Sequence, residues 1–348
     1  MSNQVEINSV TKYFGNKCVL DDFSLNAAEG EFVVILGPSG CGKSTLLRII
    51  CGLEKPDSGQ IRIRGNDISF LEPKDRNIAM VFQNYALYPH KTVYQNLSLS
   101  LKLLKVDKLD IEKKVKEVSR KLRIEDLLFR KPGSLSGGEM QRVAVGRALI
   151  KNPVLFLFDE PFSNLDASLR ITLRDELRNL HKELGVTMVY VTHDQTEAMS
   201  LGDKVVIIKD GLIQQIGKPE KIYNEPENIF VAEFIGHPKM NILDAEYSNS
   251  DIFINKNRIF KNHEINISKS NFKIGIRPSD ISISNDGIQV TVESYDYQGS
   301  SWIINTKLGN QKFCVELKDL PKKEESLCIS IPYEKILLFD SDSGYIIK

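Results

Sequence analysis

The chain has 348 residues, of which 41% are hydrophobic and 26% charged, as is ordinary for a globular protein with two domains or one large domain and an appendage. Lys plus Arg and Asp plus Glu each total 46, so the formal net charge is zero and gives no electrostatic reason to expect nucleic-acid binding. The five cysteines are scattered and form no CxxC pair, which predicts reduced thiols in a cytosolic protein. The polar N-terminus does not have the pattern of a signal peptide, and the apolar runs are short, so we expect any membrane association to go through a partner.

The first predicted elements are short strands that lead into a glycine-rich segment. The strands cover VEINSV at 5–10, CVLDDFSLNA at 18–27 and EFVVILG at 31–37. The last is a nearly continuous apolar run, which is typical of a strand buried on both faces of an α/β sheet. It leads directly into the loop GPSGCGKST at 37–45, and TLLRIICGL predicts a helix that ends near Gly52.

The next predicted elements are helices and strands. Residues 92–131 are predicted to be helical because apolar residues recur every three or four positions from Ile111 to Leu122. The further predictions are a helix between Ser136 and Pro153, a strand at 154–160, a helix at 169–184 with Gly185 as C-cap, a strand at 187–193, and a hairpin at 205–217 with its turn at Asp210-Gly211.

Beyond about residue 236 the composition changes to Asn, Ser, Ile and Lys, and the apolar stretches become short. Such stretches, separated by turn residues, predict a separate all-β domain of OB-like or barrel-like type. They lie at 272–276, 281–284, 288–295, 302–308, 312–317, 327–331 and 336–339. We therefore expect an α/β domain over 1–235, with a helical subdomain at about 88–153, and an all-β domain over 236–348.

The loop after the third strand fits the pattern GxxxxGK[ST], which predicts a phosphate site. Backbone N–H groups of such a loop converge on phosphate oxygens, and the following helix adds its positive dipole end. Lys43 is expected to bridge the β- and γ-phosphates of ATP, and Ser44 to bind Mg²⁺. The predicted phosphate-binding residues are Gly37, Pro38, Ser39, Gly40, Cys41, Gly42, Lys43, Ser44 and Thr45.

An acidic pair follows the buried strand VLFLF. Asp159 ends the strand, which would place its carboxylate beside the phosphate loop, where it can hold Mg²⁺ directly or through water. Glu160 points elsewhere on alternating geometry, so we predict that it is the general base for the water that attacks the γ-phosphate.

The order of these motifs resembles the nucleotide-binding subunit of an ATP-binding cassette (ABC) transporter. The resemblance covers about residues 3–235 and rests on the phosphate loop, Gln83, LSGGEMQR at 135–142, LFLFDEP at 155–161, SNLD at 163–166 and His193. It implies a P-loop ATPase whose two copies form a homodimer and sandwich two ATP molecules head to tail. Each ATP would lie between the phosphate loop of one chain and the 135–142 segment of the other.

The same resemblance implies further site residues. Gln83 should sense Mg²⁺ and the attacking water, Asp166 should communicate between the two sites, and His193 should bind the γ-phosphate and orient the water. Phe14 matches the aromatic residue that stacks on adenine, with Tyr13 as the alternative. Across the dimer interface, Ser136 would cap a helix whose N–H groups meet the γ-phosphate. The expected contacts from this segment are Ser136, Gly137, Gly138 and Gln141.

Several stretches, among them FIGHPKMNIL at 234–243 and GIRPSDI at 275–281, resemble importer ATPases of the maltose and sn-glycerol-3-phosphate type. The sequence departs from that group where GGEMQR replaces GGQRQR and where Phe162 stands in place of Leu. The resemblance also places a permease-binding groove near 83–90, which Tyr85, Leu87 and Tyr88 could line; local core packing is the alternative for these three side chains.

The expected function is therefore ATP hydrolysis that drives a membrane importer for a carbohydrate or sn-glycerol-3-phosphate. The implied partners are two transmembrane permease subunits and, through them, an extracytoplasmic solute-binding protein, with the chain at the cytoplasmic face of the membrane. Polyamine and iron are the alternative cargoes. A soluble ABC ATPase of translation or DNA repair is the alternative class, although the chain has a single cassette, no sustained heptads and no basic stripe.

Overall fold

A computed structural model describes residues 3–81, 86–163, 165–261, 271–319 and 322–347. The chain divides into two compact units, Met1–Pro219 and Glu220–Lys348. Within these described ranges, no helix is both long enough and apolar enough to cross a lipid bilayer.

The first unit contains β-strands and α-helices, which occur in groups up to residue 149 and alternate singly from residue 155 to residue 209. In chain order they are β1 (Asn3–Phe14), β2 (Lys17–Ala28), β3 (Phe32–Leu36), α1 (Lys43–Cys51), β4 (Ser58–Ile63), β5 (Asn66–Asp67), β6 (Ile78–Val81), α2 (Val93–Leu103), α3 (Lys108–Lys121), α4 (Gly137–Leu149), β7 (Leu155–Asp159), α5 (Ala167–Leu184), β8 (Thr187–Thr192), α6 (Gln195–Leu201), β9 (Lys204–Lys209) and β10 (Leu212–Gly217).

The main sheet of this unit has the strand order β10-β9-β3-β8-β7-β6. Its strands run parallel except for β10, which pairs antiparallel with β9 through the predicted hairpin. Every residue of β3 and β8 is buried. For β3 this confirms the prediction made from its apolar run. Because parallel strands end at the same edge, the residues that follow β3, β7 and β8 meet there.

A second sheet, β2-β1-β4-β5, is antiparallel and packs its apolar residues into the same core as β3 and α1. The sequence analysis did not predict β4, β5 or β6. These strands are short, and in β4 the apolar residues are confined to Ile61 and Ile63, so the local pattern is weak. Pairing with β1 is what makes β4 a strand.

The predicted helical region at 92–131 contains two helices, α2 and α3, and one 3₁₀ turn at Glu125–Leu127. Thr92 caps α2 and Asp107 caps α3, so the break between the helices is set by local capping. The predicted C-cap of α5 is confirmed, since Gly185 has a left-handed φ of 61° and its N–H donates to the carbonyl of His181.

The second unit is mostly antiparallel β-structure, as predicted. Its elements are α7 (Pro219–Asn224), α8 (Ile229–Phe234), β11 (Asn241–Ser248), β12 (Asp251–Ile254), β13 (Asn257–Phe260), β14 (Asn271–Ile276), β15 (Ser282–Tyr297), β16 (Trp302–Leu308), β17 (Gln311–Leu317), β18 (Ser326–Ser330) and β19 (Leu337–Asp340). They form sheets of order β13-β12-β11-β14-β19 and β17-β16-β15-β18. The stretches predicted as separate strands at 281–284 and 288–295 are one strand, β15, with a register shift between Ile283 and Ile288.

Arg277, from the GIRPSDI stretch, ties α7 and α8 to this unit. Its guanidinium is buried and donates to the carbonyls of Tyr223 at 2.8 Å and Ala232 at 3.2 Å, and also to that of Ile235. The guanidinium also lies 4.2 Å from the centre of the Tyr223 ring. These contacts join both helices to β14, and the compact unit accordingly begins at Glu220, ahead of the domain boundary expected at 235/236.

Candidate active site

The phosphate loop is shaped by glycines that a larger residue could not replace. Gly42 has φ 105°, and a Cβ atom on it would lie 2.6 Å from the carbonyl oxygen of Val19. A Cβ on Gly37 would lie 2.3 Å from the carbonyl oxygen of Ile208. Cys41, which lies between these glycines in the sequence, is buried, and burial raises the pKa of its thiol. Because a thiol is reactive as the thiolate, the small size of Cys41 rather than its reactivity suits the position.

Lys43 is buried although it is charged, with only 4% of its surface exposed. Its Nζ donates to the carbonyl oxygens of Gly37 and Pro38, each at 2.9 Å, and lies 3.9 Å from Glu160 Oε1. These contacts hold the ammonium group over the loop and compensate for its burial. The other predicted phosphate-binding residues are the exposed Ser39 and Gly40 at the tip of the loop and the partly buried Thr45 in α1.

Glu160 stands directly after β7 in an unusual backbone conformation. Its φ is 44°, in the left-handed region that non-glycine residues rarely adopt and that recurs at functional sites. Its N–H donates to the carbonyl of Val191 at 3.0 Å, and its carbonyl accepts the hydroxyl of Ser163 at 2.9 Å. These bonds fix the backbone turn that carries the Glu160 carboxylate out of the strand.

The Glu160 carboxylate connects the phosphate loop to His193. Its Oε2 lies 2.8 Å from His193 Nδ1, while Oε1 faces the Lys43 ammonium at 3.9 Å. The Glu160 side chain is 22% exposed and that of His193 is 51% exposed, so the pair is open to solvent on one side. The structure thus brings together Lys43, Glu160 and His193, which are distant in the sequence, although the direct contact between Glu160 and His193 was not predicted.

Asp159 and Ser44, the predicted Mg²⁺ ligands, contact each other beside this group. The Ser44 hydroxyl donates to Asp159 Oδ1 at 2.9 Å. Burial raises the pKa of the Asp159 carboxyl, and the bond from Ser44 opposes that rise. Within the described part of the chain, no cluster of three or more His, Cys, Asp or Glu could hold a metal ion. One carboxylate and one hydroxyl are oxygen donors of the kind through which proteins usually bind Mg²⁺, with substrate phosphates and water completing its shell.

The 135–142 segment begins α4 as predicted. Ser136 is the N-cap in a capping box: its hydroxyl accepts the N–H of Glu139 at 3.3 Å, and its own N–H donates to Glu139 Oε2 at 2.7 Å. The backbone bond from Ser136 lowers the pKa of the Glu139 carboxyl. The Glu that departs from the sugar-importer pattern therefore has a local structural role.

The two glycines of this segment let α4 lie close to α5. A Cβ on Gly137 would lie 3.1 Å from a methyl carbon of Leu165, and a Cβ on Gly138 would lie 3.1 Å from one of Leu173. Gly138 is buried and Gly137 partly so. A side chain at either position would require these leucine methyl groups to shift by a few tenths of an ångström.

Gln141 lies apart from the exposed start of α4. Its side chain is buried, with 4% of its surface exposed, and lines a cavity of about 240 Å³ with Leu173 and Leu177 of α5. Its Oε1 has no hydrogen-bond partner among the residues that the structure describes. Its expected contact with nucleotide stays a prediction.

Asp166 and the two candidate adenine-stacking residues are exposed. Asp166 caps α5, where its carboxylate accepts the hydroxyl of Ser168 at 2.7 Å, and this bond lowers its pKa. Phe14 and Tyr13 are 47% and 48% exposed at the end of β1. The Lys12 ammonium lies 5.2 Å from the centre of the Phe14 ring. Exposure does not separate the two aromatic residues, so the choice of Phe14 stays a prediction.

The predicted permease groove is described only in part, because Gln83 and Tyr85 lie outside the described residues. Tyr88 is 42% exposed, and the Arg147 guanidinium lies 5.7 Å from the centre of its ring. Leu87 is partly buried. Phe162, the other departure from the importer pattern, is fully buried with its ring centre 5.9 Å from that of Tyr190.

Comparison with known proteins identifies the family of the chain. The ABC transporter family pattern matches residues 20–163. The chain is 43% identical to the sn-glycerol-3-phosphate import ATP-binding protein UgpC of Salmonella typhi, over 98% of each chain. It is 41% identical to the trehalose/maltose import ATP-binding protein MalK of Thermococcus litoralis, again over 98% of each.

A solved structure shares the fold of the ATPase part. It is cbiO1 of Clostridium perfringens, described as part of the ABC transporter complex cbiONQ, with a TM-score of 0.60 and 28% identity over 65% of this chain and 92% of that one. The match to full-length import ATP-binding proteins and the Lys43–Glu160–His193 arrangement lead to the same conclusion. The chain belongs to the ABC transporter family, among its ATP-hydrolysing import subunits.

Proposed function

We propose that this chain hydrolyses ATP to power the import of a carbohydrate or sn-glycerol-3-phosphate through a membrane permease. The observation that carries the proposal is the contact of Glu160 with both Lys43 and His193 at the edge of the sheet. The cargo class rests on two relatives over their full lengths, whose names specify sn-glycerol-3-phosphate and trehalose/maltose.

Lys43 and the loop before it hold the phosphates of ATP in this proposal. The backbone N–H groups of a glycine loop at the start of a helix form a positive cradle for phosphate oxygens. The Lys43 ammonium has three N–H donors, and the carbonyls of Gly37 and Pro38 keep it at the loop. It can therefore bind the β- and γ-phosphates without a large rearrangement.

Glu160 is the proposed general base. It accepts a proton from water as the water oxygen attacks the γ-phosphorus, and the bond from that phosphorus to the β-phosphate oxygen breaks to give ADP and phosphate. The contact of 2.8 Å with Glu160 fixes the orientation of the His193 ring. His193 can then align the water and a γ-phosphate oxygen, with Gln83 as a further predicted ligand of the water.

Ser44 and Asp159 are the proposed Mg²⁺ ligands, together with Gln83. When bound, the ion neutralises charge on the β- and γ-phosphates. Asp159 has a raised pKa because it is buried, so a nearby cation would stabilise its ionised form.

The proposed working unit is a homodimer at the cytoplasmic face of the membrane. The exposed start of α4 at Ser136 would meet the γ-phosphate held by the other copy, with Asp166 relaying between the two sites. The implied partners are two permease subunits and, through them, a solute-binding protein. The described ranges contain no helix suited to cross a bilayer, so attachment through a permease is the arrangement that we propose.

The proposal is tested with Glu160→Gln in the chain co-expressed with the permease genes nearest to it. Gln keeps the size of Glu and can still hydrogen-bond His193, but it cannot accept the proton. We expect ATP binding to persist, hydrolysis to fall by about 10²- to 10⁴-fold, and an ATP-bound dimer to accumulate in size-exclusion chromatography.

The matched control is Glu183→Gln on the exposed side of α5, which removes the same charge away from the site and should leave hydrolysis unchanged. Normal turnover by Glu160→Gln would refute the general-base assignment. Wild-type chain that hydrolyses ATP but gives no uptake of maltose, trehalose or sn-glycerol-3-phosphate with its permease would refute the cargo class.

A further inference from the structure

Arg170 of α5 bridges two segments of the site through the two ends of its guanidinium. Its Nη1 lies 3.1 Å from Asp194 Oδ2, and its Nη2 donates to the carbonyl oxygen of Leu165 at 3.1 Å. Leu165 directly precedes Asp166, and Asp194 directly follows His193. Arg170 is therefore bonded to the neighbours of two predicted site residues.

The Asp194 end of this bridge belongs to a hydrogen-bonded network that flanks His193. The N–H of Asp194 donates to the Thr192 hydroxyl at 2.9 Å, and that hydroxyl donates to Glu197 Oε2 at 2.6 Å. The buried Tyr190 hydroxyl donates to the same carboxylate at 2.8 Å. The residues on both sides of His193 are thus held to the core, and Arg170 extends this network to α5.

We propose that Arg170 is a positioning residue that couples the His193 segment to the segment containing Asp166. This inference rests on the proposed ATPase function. A shift of the Asp166 segment would pull on Asp194 through the guanidinium, and so move His193 relative to Glu160. In this way a movement of the Asp166 segment, which is predicted to communicate with the second ATP site, would change the position of His193 in the first site.

Arginine suits this position better than lysine does. A guanidinium presents several N–H donors in a planar fork, so it can bond two acceptors on different segments at once, whereas a lysine ammonium is a point charge. The side chains of Arg170 and Asp194 are 31% and 24% exposed, so their ion pair is partly solvated. Partly solvated pairs contribute little to stability, and its loss should therefore appear in turnover rather than in folding.

The test is a double-mutant cycle with Arg170→Gln and Asp194→Asn. Asn is as good an N-cap as Asp, so Asp194→Asn keeps the cap of α6, in which Asp194 Oδ1 accepts the N–H of Thr196 at 2.7 Å, while it removes the charge that faces Arg170. We expect each single variant to lower kcat about 10-fold with the KM for ATP unchanged, and to lower the Hill coefficient for ATP. Because both variants break the same contact, the double variant should lose little more than either single one.

Arg178→Gln is the matched control, because Arg178 is exposed two turns further along the same helix. It should keep the kcat, KM and Hill coefficient of the wild type, and Arg170→Lys should recover only part of the kcat. Additive losses in the double variant would overturn the inference, as would a wild-type kcat for Arg170→Gln. An inactive wild-type chain would instead refute the proposed ATPase function, so the two failures are distinguishable.

Discussion

The hydroxyl of Ser136 has two separable roles in the proposed dimer, and Ser136→Ala removes both. As an N-cap it accepts the N–H of Glu139 at 3.3 Å, and loss of such a cap costs about 1 kcal/mol of stability. A hydroxyl also carries one proton that it can donate, here to the γ-phosphate held by the other copy. A hydrogen bond to a charged acceptor contributes about 1.5–3 kcal/mol, so we expect hydrolysis to fall by about 10- to 150-fold.

The chain contains a matched control for the capping role. Thr92 caps the neighbouring helix α2 with the same capping box: its hydroxyl accepts the N–H of Gln95 at 3.2 Å, and its N–H donates to Gln95 Oε1 at 3.0 Å. Thr92→Ala should therefore destabilise the fold by a similar amount, about 1 kcal/mol. It removes no group that we assign to nucleotide binding, so hydrolysis should stay near the wild-type rate.

The assay compares the two variants by urea unfolding and by steady-state ATP hydrolysis at saturating ATP. The expected result is a similar loss of stability in both and a loss of hydrolysis in Ser136→Ala alone. Equal rates in the two variants would refute the assignment of Ser136 to the ATP site of the partner chain, because the segment would then serve only to start a helix.

Three further predictions concern single contacts. Burial raises the pKa of Asp159, so the stability that this group contributes is present below the ordinary carboxyl pKa of about 4 and is lost as pH rises through the folded value. Asp159→Asn should therefore raise the Tm of the nucleotide-free chain at neutral pH and abolish Mg²⁺-dependent hydrolysis. An unchanged Tm would contradict this prediction. Gly42→Ala should lose ATP binding and lower the Tm more than Gly40→Ala does. Both glycines have positive φ, but only a Cβ on Gly42 would meet other atoms within 4 Å. Equal effects of the two substitutions in calorimetry and nucleotide titration would argue against this prediction. Arg277→Met removes the donor to three carbonyl groups, two of which accept it in buried hydrogen bonds. We expect a loss of about 3 kcal/mol or more in urea unfolding of the second unit, measured through the fluorescence of the single tryptophan, Trp302. A loss under about 1 kcal/mol would show that the carbonyls find other partners.

Much of the local structure could be predicted because it depends on neighbours in the sequence. The apolar runs of β3 and β7 indicate buried strands, and the structure confirms them. Ser136 starts a helix because its hydroxyl accepts an N–H three residues ahead, and Gly185 ends one because it adopts a left-handed φ. The phosphate loop is predictable in the same way, since its pattern specifies a strand, a turn and a helix in succession.

Weak local patterns explain the elements that were missed. The strand β4 has few apolar residues and depends on β1 for its pairing, and the helix α6 has only seven residues. The short helices α7 and α8 could not be assigned to the second unit from composition, because Arg277 joins them through carbonyl groups that any residue type carries.

The sequence by itself determined the family, the phosphate loop and the identities of the candidate base and metal ligands, because short motifs encode them. Only the tertiary structure decided that Glu160 lies between Lys43 and His193, and that Arg170 bonds both Leu165 and Asp194. Those contacts join residues from separate strands, loops and helices, and their distances depend on how parallel strands align at one edge of a sheet. Local periodicity sets which face of an element is buried, but it carries no information about which other element that face will meet.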